Sequence, residues 1–296
     1  MNDLQKYVST CLLATVALLG GASPLFAATG APSLGTASSF AVLSAAPGGG
    51  GAVTCTNSTI IGDVGSSGAR ASVTKTKCTI TGAVVAPVAA QVLTDFNNAY
   101  NQYANISCTG SLNTAYTDTA LTLPPGVYCS VAGVTFTNTT LTLDGQGDAN
   151  AVWIFKIGTG GTGALTGTNF SVVMAGSGQP CNVYWWVAEA VTMTTSGFQG
   201  TILAGAAITM TGLAGSTTPF NGDALAKAAV TLTDVTVTSC NATGGGKSQS
   251  KCNQGVGNGP EGCDPGRSDQ GNPFPFTSND ENGGVPGNPG RKGGNK

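Results

Sequence analysis

Two copies of one short module constrain the fold of this chain more than any other feature. Residues 200–212 reappear as residues 222–234, an offset of 22 residues. Within each copy, apolar residues and Thr alternate with a period of two, which is the pattern of a strand with one buried and one solvated face. A repeat of this length is typical of stacked units that bury their apolar sides against one another. The module is therefore predicted to be one coil of a β-solenoid.

Three kinds of short run recur between residues 121 and 239, and three runs per turn predict a triangular cross-section. The first series is apolar and aromatic, the second is rich in Thr, and the third ends in small residues. The apolar series is read at residues 127–129, 153–157, 183–187, 207–210 and 229–232. The Thr-rich series is read at residues 134–140, 165–169, 191–196, 214–218 and 235–238.

A change of period interrupts the strands. Over residues 87–105 the apolar side chains Val88, Val92, Phe96 and Tyr100 fall at steps of four, which defines one stripe of an amphipathic helix. A single helix in a strand-rich chain is expected to lie along the solenoid and cover one of its sides.

Charged side chains make up only 9% of the chain, and the formal net charge is −2. This gives no electrostatic reason to expect nucleic acid or membrane as a partner. The chain contains no His, so the most common general base and transition-metal ligand are missing. The acidic residues are scattered rather than paired as glycoside cleavage requires. We therefore expect a protein that is not an enzyme and that uses no metal or cofactor.

Two patterns have a second interpretation. Asp144 and Asp148 have the spacing of a Ca²⁺ loop, but the other ligands of such a loop are missing, so a turn capped by Asp side chains is favoured. Trp153, Trp185 and Trp186 could form a platform for stacking sugars, but the alternation around Trp153 favours core packing.

Composition divides the chain into three parts. Residues 1–28 read as a secretory signal peptide, with an apolar run that is too short to span a bilayer. Residues 29–240 form the solenoid domain. Residues 241–296 are a tail rich in Gly, Asn and Pro that cannot build a core. We expect an exported, extracellular protein.

Nine cysteines are present, and Cys11 falls in the signal peptide. The other eight cysteines are an even number, which in an exported chain favours disulfides. Spacing suggests four pairs, although eight cysteines allow 105 connectivities. The suggested pairs are Cys55–Cys78, Cys108–Cys129, Cys181–Cys240 and Cys252–Cys263.

Seven segments in a fixed order carry a family resemblance. They are residues 34–43 (LGTASSFAVL), 61–65 (IGDVG), 123–128 (LPPGVY), 141–155 (LTLDGQGDANAVWIF), 181–187 (CNVYWWV), 200–204 (GTILA) and 222–226 (GDALA). Together they resemble the bacterial and fungal ice-binding family that shares the DUF3494 domain. The resemblance implies a right-handed, discontinuous β-helix of triangular section with one long α-helix alongside. It also implies an ice crystal surface as partner.

In that family the ice-binding site is a flat β-face carrying Thr, Ser, Ala and Asn, often with a Thr-Gly/Ala-x-Thr/Asn pattern that residues 166–169 match. The candidate ice-binding residues come from the five Thr-rich runs and are taken to share one face. They are Thr135, Thr137, Thr166, Thr168, Asn169, Thr192, Thr194, Ser196, Ser216, Thr218, Thr236 and Thr238.

The Thr-rich runs have a second explanation, because Thr is a good former of solvent-facing strands and needs no binding role to be frequent there. The alternative function is an extracellular structural or adhesive module that binds a polysaccharide or a cell surface, with the tail as an attachment element to a matrix polymer. A polysaccharide-degrading β-helix enzyme is a third, weaker alternative. We expect a monomer.

Overall fold

The structure is a computed structural model that describes residues 30–241. The predicted signal peptide, the tail beyond residue 241 and the Cys252–Cys263 pair lie outside the described residues. The described chain contains short strands and one α-helix, α1 (Ala90–Asn105). It also has four short 3₁₀ segments, which are Gly35–Ser39, Pro47–Gly49, Arg70–Ser72 and Pro180–Asn182.

Three strands in succession make one coil, with a corner between each pair. In chain order the strands are β1 (Phe40–Ser44), β2 (Val53–Thr56), β3 (Thr59–Ile61), β4 (Asp63–Ser66), β5 (Val73–Thr76), β6 (Thr79–Ile80), β7 (Val84–Val85), β8 (Gly110–Ser111), β9 (Ala115–Thr117), β10 (Ala120–Leu123), β11 (Gly126–Ser130), β12 (Val134–Thr137), β13 (Thr140–Asp144), β14 (Trp153–Ile157), β15 (Leu165–Thr168), β16 (Ser171–Ala175), β17 (Val183–Val187), β18 (Val191–Thr194), β19 (Phe198–Gln199), β20 (Thr201–Ala204), β21 (Ile208–Thr211), β22 (Thr218–Asn221), β23 (Ala224–Ala226), β24 (Val230–Thr233) and β25 (Val235–Thr238). Coil 1 is β1–β3 and coil 2 is β4–β6. Coils 3 to 8 follow after α1, from β8–β10 to β23–β25.

Corresponding strands of stacked coils pair in parallel and form three sides. The helix side has the order β7-β4-β1-β23-β20-β17-β14-β11-β8. The Thr side has the order β5-β2-β24-β21-β18-β15-β12-β9. The mixed side consists of two sheets, β10-β13-β16 and β19-β22-β25-β3-β6, which a bridge between Ser171 and Gly197 connects. The predicted β-solenoid of triangular section is confirmed.

The order of coils in space differs from their order in the chain. Strand β1 pairs with β4 on one flank and with β23 on the other. Coils 1 and 2 therefore stack beyond coil 8, and the spatial order is 2, 1, 8, 7, 6, 5, 4, 3. Helix α1 and its flanking segments carry the chain from coil 2 to coil 3 at the opposite end. The β-helix is discontinuous, as the resemblance implied.

Helix α1 packs on the helix side, as predicted, but it begins at Ala90 rather than at Pro87. The backbone of Ala89 is extended, and the Val88 N–H donates to the carbonyl oxygen of Ser66 at 2.9 Å. Val88 is held against coil 2 by that bond and is itself buried. The first residues of the predicted helix are therefore extended and attach the start of α1 to coil 2.

The helix covers a second apolar core. Its buried residues are Val92, Phe96, Ala99, Tyr100 and Tyr103. They pack on outward-facing residues of the helix side, namely Phe40, Leu43, Val127, Ile154, Trp186, Leu203 and Leu225. Strand β14 is buried along its whole length because both of its faces are covered.

Inside the triangle, aromatic side chains of neighbouring coils stack on one another. The rings of Phe155 and Trp185 lie 4.0 Å apart, and those of Phe136 and Phe170 lie 4.3 Å apart. Trp153 and Trp185 are fully buried in this core, whereas Trp186 is buried under α1 against Tyr100. The prediction that the three Trp residues are core residues is confirmed.

Three of the suggested disulfides are present. Cys55–Cys78 joins coils 1 and 2, and Cys108–Cys129 joins the segment after α1 to coil 4. Cys181–Cys240 ties the start of coil 6 to the end of coil 8, with the Cα atoms 5.3 Å apart. Each bond links coils that would otherwise be held together only by packing and strand pairing.

Across residues 30–241, none of the helical segments has the length and apolar character that crossing a membrane requires.

Candidate functional site

The Thr side is built from one four-residue motif. Seven of its strands have the sequence apolar–Thr–x–Thr, where x is Lys in β5 and an uncharged residue in the other six. The eighth strand, β9, has the shorter sequence Ala-Tyr-Thr and begins with Ala115. Successive side chains on a strand point to opposite faces. In β2, for example, Val53 and Cys55 are fully buried while Thr54 is exposed. The motif thus sends two Thr side chains outward from each of seven coils, and β9 sends Ala115 and Thr117 outward.

Strand register aligns these outward residues into two straight files. The inner file is Thr74, Thr54, Thr231, Thr209, Thr192, Thr166, Thr135 and Ala115. The outer file is Thr76, Thr56, Thr233, Thr211, Thr194, Thr168, Thr137 and Thr117. Fifteen of the sixteen outward positions are therefore Thr.

Sheet geometry sets the dimensions of this array. Neighbouring strands lie roughly 4.8 Å apart, and alternate residues of one strand lie roughly 6.7 Å apart. Eight strands give files about 33 Å long. Each Thr has a stiff χ1 torsion, so its hydroxyl and methyl groups are held in few orientations. The array is a rigid grid of Thr hydroxyl and methyl groups.

The outward positions of the Thr side carry no charge. Lys75 lies on β5 between Thr74 and Thr76, but its register partner is Cys55, an inward residue of the next coil. Because coil 2 is the last coil, Lys75 reaches solvent at the end of the solenoid rather than on the Thr files.

A corner follows each outer Thr. In seven coils the next residue has a left-handed backbone, with φ between 47° and 55°. These residues are Lys77, Asn57, Asp234, Thr195, Asn169, Asn138 and Asp118. Asn and Asp accept this conformation more readily than most residues, and the sharp turn ends the Thr side at the same place in these seven coils.

Six of the twelve candidate residues lie on the Thr side, and Asn169 lies at its corner. The six are Thr135, Thr137, Thr166, Thr168, Thr192 and Thr194. The other five lie elsewhere, so the expectation that all twelve share one face is corrected. Ser196 is buried at a corner, Ser216 lies in the loop after β21, and Thr218, Thr236 and Thr238 lie on the mixed side.

Unequal coil lengths explain this error. Successive residues of the inner file, Thr135, Thr166, Thr192, Thr209 and Thr231, are separated by 31, 26, 17 and 22 residues. Without a constant offset, strands β21 and β24 fit the apolar series in the sequence and the runs after them fit the Thr-rich series, whereas the structure places β21 and β24 on the Thr side. The short apolar–Thr–x–Thr motif itself would have identified the omitted residues, Thr54, Thr56, Thr74, Thr76, Thr117, Thr209, Thr211, Thr231 and Thr233.

The alternative Ca²⁺ loop is a pair of capped turns. The Asp144 carboxylate accepts the Gln146 N–H at 2.9 Å, and the Asp148 carboxylate accepts the Asn150 N–H at 2.8 Å. The favoured turn interpretation is confirmed. Over residues 30–241 there is no cluster of three or more His, Cys, Asp or Glu side chains that could hold a metal ion.

A buried carboxylate lies on the helix side, away from the Thr files. Asp223 is 2% exposed and lines a small cavity with Tyr184 and Thr201. Its oxygens accept hydrogen bonds from the hydroxyls of Ser239 at 2.6 Å and Thr201 at 3.2 Å. Burial raises the pKa of Asp223 to about 6, although these hydrogen bonds oppose the shift. This group affects how stability depends on pH rather than the chemistry of the Thr side.

A family model described as ice-binding-like matches residues 47–238. The chain belongs to the ice-binding-like family. This match covers nearly all of the solenoid and all eight strands of the Thr side. The suspected family resemblance is confirmed.

Similar proteins are called ice-binding proteins. One from Nostoc sp. (strain HG1) is 35% identical over 182 residues, which are 60% of this chain and 64% of that protein. One from Flavobacterium frigoris (strain PS1) is 31% identical over 194 residues, which are 60% of this chain and 66% of that protein. This member of the ice-binding-like family thus aligns with slightly less than two thirds of each relative.

Solved structures share the fold. The crystal structure of an ice-binding protein from the Antarctic ascomycete Antarctomyces psychrotrophicus matches with a TM-score of 0.58 and 29% identity, over 70% of this chain and 97% of that chain. This ice-binding protein and the present chain therefore share the β-helix fold.

Proposed function

We propose that this protein is exported and adsorbs to ice through its Thr side, where it inhibits ice growth and recrystallisation. The observation that carries the proposal is the pair of registered files, in which fifteen of sixteen outward positions are Thr. Membership in the ice-binding-like family and the names of the similar proteins support ice as the target.

A rigid hydroxyl grid can bind ice by ordering water before contact. Each Thr hydroxyl holds a water molecule, and each methyl restricts the orientation of its neighbours. The files repeat at roughly 4.8 Å and 6.7 Å, so the held waters form a regular two-dimensional layer. Because the side chains are already fixed, little conformational entropy is lost when this layer merges with a crystal. An adsorbed molecule then blocks further growth of the surface that it covers.

The other two sides offer poorer surfaces for this role. Helix α1 covers the helix side. On the mixed side, the outward row that crosses β22, β25 and β3 contains Pro219, Thr236 and Thr59. Pro219 interrupts the row with a side chain that has no hydroxyl. We therefore assign adsorption to the Thr side rather than to the helix side or the mixed side.

The mode of action that we propose is non-catalytic. The similar proteins are named for binding ice rather than for a reaction. The sequence of residues 1–28, which has the pattern of a signal peptide, is the basis for proposing export. We also propose that a single copy is sufficient for adsorption, since one Thr side is already a continuous array of eight strands.

A matched pair of variants tests the proposal. Thr194→Tyr places a bulky ring in the outer file near the middle of the Thr side, and Thr236→Tyr places the same ring on the mixed side. We expect Thr194→Tyr to lose most thermal hysteresis and ice recrystallisation inhibition, and Thr236→Tyr to keep them. Unfolding curves of both variants should show that each remains folded.

Two results would overturn the proposal. Equal loss in both variants would show that the Thr side is not the site. A folded parent without any ice activity would remove ice as the target, and binding of polysaccharides should then be measured to examine the adhesive alternative.

A further inference from the structure

The corner beside the outer Thr file carries a hydrogen-bonded row of side chains. The corner ladder is defined as Asp118, Asn138, Asn169 and Thr195, one residue from each of coils 3 to 6. Each follows an outer-file Thr directly in sequence, and all four have a left-handed backbone with φ between 48° and 50°. The corner ladder therefore runs parallel to the outer file at the same strand spacing.

Side-chain hydrogen bonds connect the four residues in order. Asn138 Nδ2 donates to Asp118 Oδ1 at 2.9 Å, and Asn169 Nδ2 donates to Asn138 Oδ1 at 3.0 Å. The Thr195 hydroxyl donates to Asn169 Oδ1. Each side-chain amide is thus fixed in orientation by the coils above and below it, and Asp118, Asn138 and Asn169 remain exposed to solvent.

The fixed amides keep unused hydrogen-bonding capacity. A side-chain amide has two N–H donors and an oxygen with two lone pairs. The ladder uses one donor of Asn138 and one of Asn169, which leaves the second donor of each side chain for water. These remaining groups repeat at the strand spacing of roughly 4.8 Å, as the Thr hydroxyls do.

The corner lacks such bonds at the other end of the Thr side. Within residues 30–241, no side-chain hydrogen bond joins Asp234, Asn57 and Lys77, although all three are also left-handed. Coil 7 separates the two halves, because residues 213–217 form a loop at this corner before β22. We call the corner locked over coils 3 to 6, where its side chains are hydrogen-bonded to one another, and unlocked over coils 8, 1 and 2, where they are not. The chain therefore allows a comparison between a locked and an unlocked corner.

We propose that the two fixed amides of the corner ladder, Asn138 and Asn169, form a third file of the ice-contacting surface, which extends the water-ordering grid beyond the outer Thr file, while Asp118 and Thr195 hold the amides in place. This inference rests on the proposed function of the Thr side. The amides have planar geometry, so their free donors are aimed more narrowly than a rotating hydroxyl, and they add a directional constraint to the bound water layer. The ladder thus helps to select which ice planes the protein adsorbs to.

The test uses the full chain and two double variants. Asn138→Gly with Asn169→Gly removes the ladder, and Gly keeps the left-handed backbone without strain. Asn57→Gly with Asp234→Gly is the matched control, because it removes two unlocked side chains from the same corner. The readouts are thermal hysteresis and the set of ice planes that fluorescently labelled protein covers on a single crystal.

We expect the ladder variant to cover fewer ice planes and to lose about threefold in hysteresis, since two fixed donor groups are missing from a preorganised array. The control variant should match the parent in both readouts. Unfolding curves should show that both variants remain folded, so that a change in plane selection reports contact rather than loss of structure.

Three other results contradict the inference. A ladder variant with the same planes and hysteresis as an active parent would overturn the third file while leaving the Thr side as the site. Equal changes in both double variants would show that any exposed corner side chain contributes, locked or not. An inactive parent would overturn the proposed function and the ladder with it.

Discussion

The Thr side and the mixed side are built from similar strands, yet only the Thr side presents a regular surface. Both contain many outward Thr residues, including Thr140, Thr142 and Thr236 on the mixed side. On the Thr side, Thr faces Thr across seven consecutive strand pairs in the outer file. On the mixed side, Thr142 lies between Thr122 and the exposed Val173. Register between coils, rather than the number of Thr residues, distinguishes a candidate site from an ordinary solvated sheet.

The two sides also differ in continuity. The Thr side is one sheet of eight strands, whereas the mixed side is divided into sheets of three and five strands. The break lies between β16 and β19, which the bridge between Ser171 and Gly197 connects, and the residues that lengthen a coil lie in corner loops such as residues 145–152 and 158–164. Variation in coil length is therefore absorbed without disturbing the Thr files.

The largest expected effect comes from placing a charge on each side. Thr209→Lys lies in the inner file between Thr192 and Thr231, and Thr142→Lys is its counterpart on the mixed side; both native residues are half-buried. An ammonium group holds water in orientations foreign to ice and resists desolvation, so Thr209→Lys should reduce hysteresis by about tenfold or more. Thr142→Lys should stay within about twofold of the parent, as surface substitutions usually do. A comparable loss in Thr142→Lys would break the distinction between the sides.

The next effect concerns the end of the Thr side. Replacing both Cys55 and Cys78 by Ala removes a bond that closes a sequence separation of 23 residues, and the entropy model predicts a loss of about 3 kcal/mol in unfolding free energy. Because Cys55 lies under the Thr files in β2, we also expect lower hysteresis. Replacing Cys108 and Cys129 by Ala, with a separation of 21 residues, should cost similar stability.

That second pair lies on the helix side and is the control for activity. If its removal lowers hysteresis as much as removal of Cys55–Cys78 does, global stability rather than local order of the Thr side determines activity. Urea unfolding and thermal hysteresis measured on the same samples distinguish the two cases.

Much of the fold could be predicted from sequence because its signals are local. The alternation of Ile208 and Met210 with Thr requires strands, and the four-residue steps from Val92 to Tyr100 require a helix. The assignment of strands to sides could not be derived in the same way. It depends on which residues of different coils are neighbours, and coils separated by 17 to 31 residues give no constant offset to read.

The hydrogen bonds of the corner ladder could not be predicted for a related reason. Asn169 is a candidate because residues 166–169 match the family pattern, but Asn138 looks like an ordinary turn residue in the sequence, and Thr195 looks like one more Thr in a Thr-rich run. Only stacking places the three side chains in hydrogen-bonding contact. Likewise, nothing adjacent to Asp223 in the sequence indicates that the N-terminal segment and Ser239 enclose its carboxylate.

A smaller effect is expected from pH, which should change the unfolding free energy without changing ice activity. The pKa of Asp223 is raised by burial to about 6 in the folded protein, above the ordinary value of about 3.9 in the unfolded chain. The folded state therefore binds a proton more tightly, so this contribution is fully present below the unfolded pKa and is lost as pH rises through 6. Between pH 7 and pH 5 the protein should gain about 1 kcal/mol in unfolding free energy.

Asp223→Asn should abolish that gain, which urea unfolding at the two pH values would reveal. Hysteresis should be equal at pH 5 and pH 7 in parent and variant, because Asp223 lies on the helix side and the Thr files carry no titratable group. The pKa of Asp95 is lowered by its hydrogen bonds with Thr36, so that carboxyl titrates below this window. If hysteresis differed between pH 5 and pH 7 in the parent but not in Asp223→Asn, the protonation of Asp223 on the helix side would be coupled to ice binding by the Thr side.

The smallest expected effect is a gain. Ala115 is the one outward position of the Thr side without a hydroxyl, and it lies next to Thr135 at the end of the inner file. Ala115→Thr would complete that file and should raise hysteresis by less than about twofold, because an end position adds one contact to an array that already has fifteen. Ala120→Thr in the same coil adds the same group to the mixed side, next to Thr140. It should leave hysteresis unchanged, and an equal gain from both substitutions would mean that added Thr content, rather than a completed file, increases adsorption.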